Sequence, residues 1–144
     1  MSVEVISLAE KHSQFKDAWA PRRVAKLDNY EIKLAKAEGA FDWHAHLEED
    51  EFFLVTRGIL KIEIESADPV ILGPGEMCVI PKGVRHRPVA QTEKVHMMLI
   101  ERAGVVNTGD NPDSEQLHAV CSESRSISSR LRVLLAVLTV RLRR

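Results

Sequence analysis

From Arg22 onward the chain alternates with a period of two, and turn formers break the alternation every few residues. Nothing else in the sequence constrains the fold as strongly. Successive strand residues point to opposite faces, and runs this short between turns fall below the length of an ordinary helix. RRVAKL precedes the turn pair Asp28-Asn29, and in the following YEIKLAKAEG the side chains Tyr30, Ile32 and Leu34 alternate against Glu31, Lys33 and Ala35, a hairpin pattern. FDWHAH, EFFLVTRG, ILKIEIES, DPVILGPGE, MCVIPKG, HRPVAQ and KVHMMLIER continue the series, punctuated at Gly39, Gly58, Asp68-Pro69, Gly73-Pro74-Gly75 and Pro81-Lys82-Gly83. Many short strands at this spacing predict an all-β, antiparallel sandwich or small barrel.

The pattern also sets boundaries. Residues 1–21 form an N-terminal extension, in which Val5, Leu8, His12 and Phe15 have helical spacing that ends before Pro21. Residues 22–103 form the β-domain, and residues 104–144 a surface segment with a basic tail. Between Phe52 and Val55 both parities are apolar, so the outer face of that strand is expected to be covered by another sheet or by a second subunit of a homodimer.

A chain of 144 residues, 44% hydrophobic and 28% charged, is one folded domain's worth. Its 20 basic and 21 acidic residues leave no overall field to attract phosphate backbones, so no nucleic-acid partner is expected. The tail from Cys121 to Arg144 holds six Arg and one acid, Glu123, for a net +5; the remainder carries 14 basic and 20 acidic residues, a net −6. That tail reads foremost as a terminal element packed on the domain or on a second subunit. The alternatives are a poorly ordered appendage and a basic amphipathic helix, against the latter of which Val133–Leu138 is apolar on every side. No run approaches the roughly 18 residues of a membrane span, and no leader pattern opens the sequence. Two cysteines, Cys78 and Cys121, are too few for a disulfide framework, and a reducing cytoplasm is the expected compartment.

The chemistry concentrates in four residues. His44 and His46 lie two apart on a strand, so both imidazoles face one way and can chelate one ion. Glu51 follows a short acidic turn and opens the next strand, where its carboxylate can point back at the pair. His86 comes 35 residues after Glu51, on a strand that a sandwich returns alongside the first. Each residue alone has an ordinary reading, as a surface or core histidine or as part of a solvated acidic turn; the set is what points to a metal.

Gly39 to Gly58 reads G-x4-H-x-H-x4-E-x6-G, and Gly75 to His86 reads G-x5-P-x-G-x2-H. These closely resemble the two paired motifs of the cupin superfamily, over roughly residues 24 to 102. Two departures occur: four residues separate Gly39 from His44 where five are common, and Ala90 stands where Asn is frequent. VIPKGVRHRPVA and MMLIERAGVVNTGD are similar to the small cupins labelled mannose-6-phosphate isomerase-like, a label that rests on distant fold similarity and says little about chemistry. The resemblance implies a jelly-roll, a double-stranded β-helix, in which His44, His46, Glu51 and His86 hold a metal with one or two positions left open.

Three imidazoles and a carboxylate suit a divalent transition metal such as Fe, Mn, Ni, Zn or Cu. An open metal site in a barrel mouth fits an oxygenase or an isomerase acting on a small organic molecule; a non-catalytic ligand-binding or sensor protein is the alternative, marked by a missing acid or base. A phosphosugar substrate would call for Arg or Lys turned into the cavity, whereas the inward parity near the ligands reads as Asp42, Phe53 and Val55. His96 shares the parity of Met98 and Ile100 and reads foremost as a hydrogen-bonded core histidine, with a cavity-facing acid or base as the alternative. Trp43 points away from the histidine pair, Cys78 reads as a buried thiol, and Asn107 to Asp110 as turn chemistry.

Overall fold

The alternating runs become eight antiparallel strands in the computed structural model, which describes residues 1–117. Cys121 and the Arg-rich segment 121–144 lie outside the described residues. A short helix, α1 (Leu8–Ser13), comes first, and the Ser7 side chain caps it by accepting from the Glu10 N–H. The strands are β1 (Arg22–Leu27), β2 (Tyr30–Ala37), β3 (Glu51–Arg57), β4 (Leu60–Ile64), β5 (Ala67–Leu72), β6 (Met77–Ile80), β7 (His86–Ala90) and β8 (Val95–Arg102).

They form two sheets, ordered β1-β2-β8-β3-β6 and β5-β4-β7. The expected hairpin is β1–β2, with Asp28 in the left-handed region (φ 52°) at its turn. The core lies between the sheets: Ala35, Phe53, Val55, Met97 and Leu99 from the larger meet Leu60, Ile62 and Leu72 from the smaller, all at most 5% exposed. This is the antiparallel jelly-roll sandwich that the strand rhythm predicts.

FDWHAH differs from expectation. It forms no strand: the segment is irregular and touches β7 through isolated bridges at Ala40–Val89 and His44–His86. Two other departures concern which face a residue occupies. On β2 the polar residues Glu31 and Lys33 point inward with Ala35 and Ala37, while Tyr30, Ile32, Leu34 and Lys36 take the outer face. On β8 the inward residues are Val95, Met97, Leu99 and Glu101, so His96 lies outside.

Candidate metal centre

The single bridge between His44 and His86 aligns the two chain segments: each backbone N–H donates to the other's carbonyl, at 3.0 and 2.9 Å. The Gly83 N–H donates to the His46 carbonyl at 2.7 Å, tying the turn before β7 to the same segment. Glu51 begins β3 on its inward face, where β6 supports it through the Glu51–Ile80 pairing. His44, His46, Glu51 and His86 are all buried, at 1%, 6%, 6% and 1% exposure.

Local hydrogen bonds set the ring tautomers. His44 Nδ1 donates to the Asp42 carbonyl and His86 Nδ1 to the Val84 carbonyl, both at 2.9 Å. A carbonyl only accepts, so the proton sits on Nδ1 and each Nε2 presents a lone pair. These Nε2 atoms lie 3.7 Å (His44) and 2.8 Å (His86) from Glu51 Oε2, and His46 Nε2 lies 3.3 Å from the same oxygen. All four atoms are buried without a hydrogen-bond partner. Such convergence is costly unless a cation stands among them. Ligands bonded at about 2.1 Å and at right angles stand about 3 Å apart, which is the scale of these separations. The donor set therefore fits a divalent transition metal. The ligand atoms of His44, Glu51 and His86 lie within 4.8 Å of one another, and His46 approaches this group from the Glu51 side.

The electrostatics agree with a carboxylate kept ionised. Burial alone would raise the Glu51 pKa, but without a metal His44, His46 and His86 can each carry a proton towards the carboxylate, which outweighs burial and holds the carboxyl well below its usual range. For His46, burial works against protonation, and the Glu51 carboxylate beside it prevails and raises the pKa.

Residues beyond the expected set complete the site. Lys33, fully buried, donates from Nζ to Glu101 Oε2 at 2.8 Å and lies 3.5 Å from Glu31, which in turn pairs with Arg23 at 2.9 Å. Glu31 and Glu101 are cross-strand partners, and the register places Glu51 one step beyond the Phe52–Ile100 pair, next to Glu101. Burial, reinforced by Glu51, raises the Glu101 pKa against the pull of Lys33. Lys33 thus adds one inward cation, paired with carboxylates, to an inner face expected to be dominated by acid and apolar groups. Alternation alone gave no sign of it, since a polar parity reads by default as the wet one.

Asn107 to Asp110 does more than turn. The Asp110 carboxylate accepts from the Ala45 N–H at 2.8 Å, and the Asp110 N–H donates to the Ala45 carbonyl at 2.9 Å, pinning the residue between His44 and His46. Gly109 (φ +50°) makes this approach, and a Cβ there would collide with the Ala45 carbonyl. Gly109→Ala is therefore expected to lower metal affinity about 10- to 100-fold, the usual scale for a displaced ligand support, as read by competition with a chromophoric chelator. Farther along, Ser114 donates to Asp42, and Gln116 accepts from the Asp42 N–H at 2.8 Å.

His96 stands apart from the centre. On the outer face it stacks on His12, with ring centroids 4.4 Å apart and planes 11° from parallel. Burial, then His12, Lys36, Arg57 and Lys94, lowers its pKa from 6.5 to about 4. The neutral ring is thus favoured in the folded state. Its contribution to stability is complete above pH 6.5 and is lost as pH falls from there towards 4. In metal-free protein, His96→Phe is expected to flatten the fall of Tm across that window relative to wild type; parallel curves would contradict this. Trp43 packs beneath the Arg87 guanidinium, 5.2 Å from its ring centroid. Half-buried Cys78 has its pKa pushed up to about 11 by burial and by Glu51, so it remains a thiol.

Two spaces adjoin the centre. One, about 30 Å³, lies against His44, Glu51 and Glu101 and is walled by Trp19, Phe41, Phe53 and Met97. The other, about 350 Å³, is the mouth between His46 to Glu49 and Ala103 to Asp110.

A two-sheet antiparallel sandwich with a buried histidine and carboxylate cluster defines a jelly-roll with a candidate metal centre. A cupin-domain family model matches residues 30–101, half of the chain, and the chain belongs to the cupin family. It is 30% identical over 88 residues to YdbB, an uncharacterized protein of Bacillus subtilis, covering 61% of this chain and 72% of that protein. Among solved structures it is similar to a cupin-2 domain containing protein from Shewanella frigidimarina, at 44% identity and TM-score 0.65, over 68% of this chain and 94% of that one. Protein NMB1881 from Neisseria meningitidis is 27% identical, with TM-score 0.63 over 69% of this chain and 100% of that one.

Proposed function

We propose that this chain is a metal-dependent enzyme of oxygenase type, acting on a small organic molecule at one divalent transition metal held by His44, His46, Glu51 and His86. The observation that carries this reading is the convergence of three imidazole Nε2 atoms and Glu51 Oε2, all buried and all without partners. A redox-active ion such as Fe or Mn would supply electrons to dioxygen there. The inner space of about 30 Å³ beside His44, Glu51 and Glu101 supports the oxygenase reading, because it takes a molecule the size of dioxygen next to the ligands. The wider mouth gives the organic substrate its approach beside His46.

Glu101 is the group placed to move a proton. Its carboxyl lines the inner space with His44 and Glu51, and Lys33 fixes its orientation. A raised pKa favours accepting a proton from a substrate hydroxyl or acidic C–H. An acid or base at the site counts against the non-catalytic binding module. The test is oxygen uptake by metal-reconstituted protein across small hydroxylated organic molecules. Uptake that Glu101→Gln abolishes at unchanged metal content supports the reading, whereas tight ligand binding without uptake would favour the binding module.

A homodimer is part of the same proposal. The register lines up Ile32, Ile100, Phe52 and Val79, and beside them Leu34, Met98, Leu54 and Met77, as two apolar rows across the outer face of the larger sheet. Met77 and Val79, at the β6 edge, are 52% and 49% exposed in the single chain. A second copy seated there would cover them. Met77→Lys/Val79→Lys is expected to shift the mass in light scattering to that of a monomer.

A further inference from the structure

A second site lies at the opposite end of the larger sheet. Glu51 and Arg57 are the two ends of β3, six residues or about 20 Å apart at strand rise. Beyond Arg57 opens a groove of about 800 Å³ between α1 and the ends of β2, β3 and β8. Lys16, Lys36, Arg57 and Lys94 line it, and none of them forms an ion pair among the described residues. Glu38 and Glu93 share the lining but pair with none of these cations.

The Lys36 ammonium is held in place. Lys36 Nζ donates to the Phe15 carbonyl at 2.7 Å and sits 5.2 Å from the Phe15 ring centroid. Gly58 (φ +75°) lets the chain turn against the Lys94 carbonyl, where a Cβ would collide, and Thr92 ties that turn by accepting from the Ile59 N–H and donating to the Lys94 carbonyl. The backbone that carries Arg57 and the backbone that carries Lys94 are thereby held near each other at one rim. Burial first, then repulsion from Lys94, Arg57 and Lys16, lowers the Lys36 pKa, so the other three charges all act on Lys36. Leu8, Ala18 and Val95 supply apolar wall between them.

We propose that this groove is an anion-binding site, distinct from the metal centre, for a small organic dianion bearing a phosphate or two carboxylates. Four cations against two carboxylates leave the lining with a net positive charge and no ion pair to the cations, and a doubly charged anion offsets that excess. Arg57 offers a planar fork and the three lysines offer mobile point charges, a combination suited to oxyanions. The apolar wall accommodates the carbon skeleton of the ligand.

The test is an NMR titration of metal-loaded protein with inorganic phosphate and, separately, with succinate. Saturable shifts are expected at Lys36, Arg57, Lys94 and His96. They should weaken as salt rises, and by at least about tenfold in Lys16→Gln/Arg57→Gln/Lys94→Gln, whose metal content should be unchanged. Tighter binding of phosphate assigns a phosphomonoester class, and tighter binding of succinate a dicarboxylate class. Absence of shifts with either probe overturns the proposal, as do shifts that persist undiminished in the triple variant. Shifts that follow protein dilution and not the probes overturn it equally, because they would place a second copy of the chain in the groove.

Discussion

Lys33→Met is expected to destabilise the fold by about 3–5 kcal/mol, the range for removing one partner of a buried ion pair. Lys33 is among the largest fully buried side chains of the described residues, and its ammonium lies between two buried carboxylates, Glu101 at 2.8 Å and Glu31 at 3.5 Å. Without it those cross-strand carboxylates face each other with only Arg23, on the Glu31 side, as counter-charge. For a domain of this size the loss corresponds to a fall in Tm of about 10–20 °C. Lys33→Met/Glu101→Leu should recover most of it, because replacing both members of a buried pair by apolar groups is often close to neutral. Chemical denaturation of the two variants checks the account. A Lys33→Met cost below about 1 kcal/mol, the level of an exposed pair, would contradict it.

The second large effect is expected from metal removal. Four unpartnered acceptors gathered in the core destabilise the metal-free fold, and an ion that binds only the folded state stabilises it by mass action. At free metal about a thousandfold above Kd, this amounts to about 4 kcal/mol. Stripping wild type with a strong chelator should therefore lower its Tm by about 10–20 °C, and one equivalent of metal should restore it. His44→Ala/His86→Ala should ignore both treatments while keeping its β-sheet circular dichroism, since Phe53, Leu60, Ile62 and Met97 hold the sandwich. Equal chelator sensitivity in the two proteins would place the metal elsewhere.

The sequence revealed the strands and the composition of the centre for one physical reason. Both depend on local chemistry, such as Gly and Pro at turns and histidine spacing, and Gly58, Gly75 and Gly83 do adopt positive φ. What it hid depends on contacts between distant segments. His44 and His46 converge although their segment is not a strand, because β7 and Asp110 pin its backbone. Glu31, Lys33 and Glu101 read as a wet face and are the buried one, because their charges neutralise one another across 68 residues of sequence. His96 was misplaced by the same ambiguity of parity: apolar residues occupy both faces of β8, so alternation could not tell inside from outside.

The most direct test of the central claim is metal content by inductively coupled plasma mass spectrometry on untagged protein, wild type beside His44→Ala/His86→Ala. The account predicts close to one transition-metal ion per chain in wild type and almost none in the variant. Equal, negligible metal in both after reconstitution, or equal stoichiometric metal in both, would contradict it.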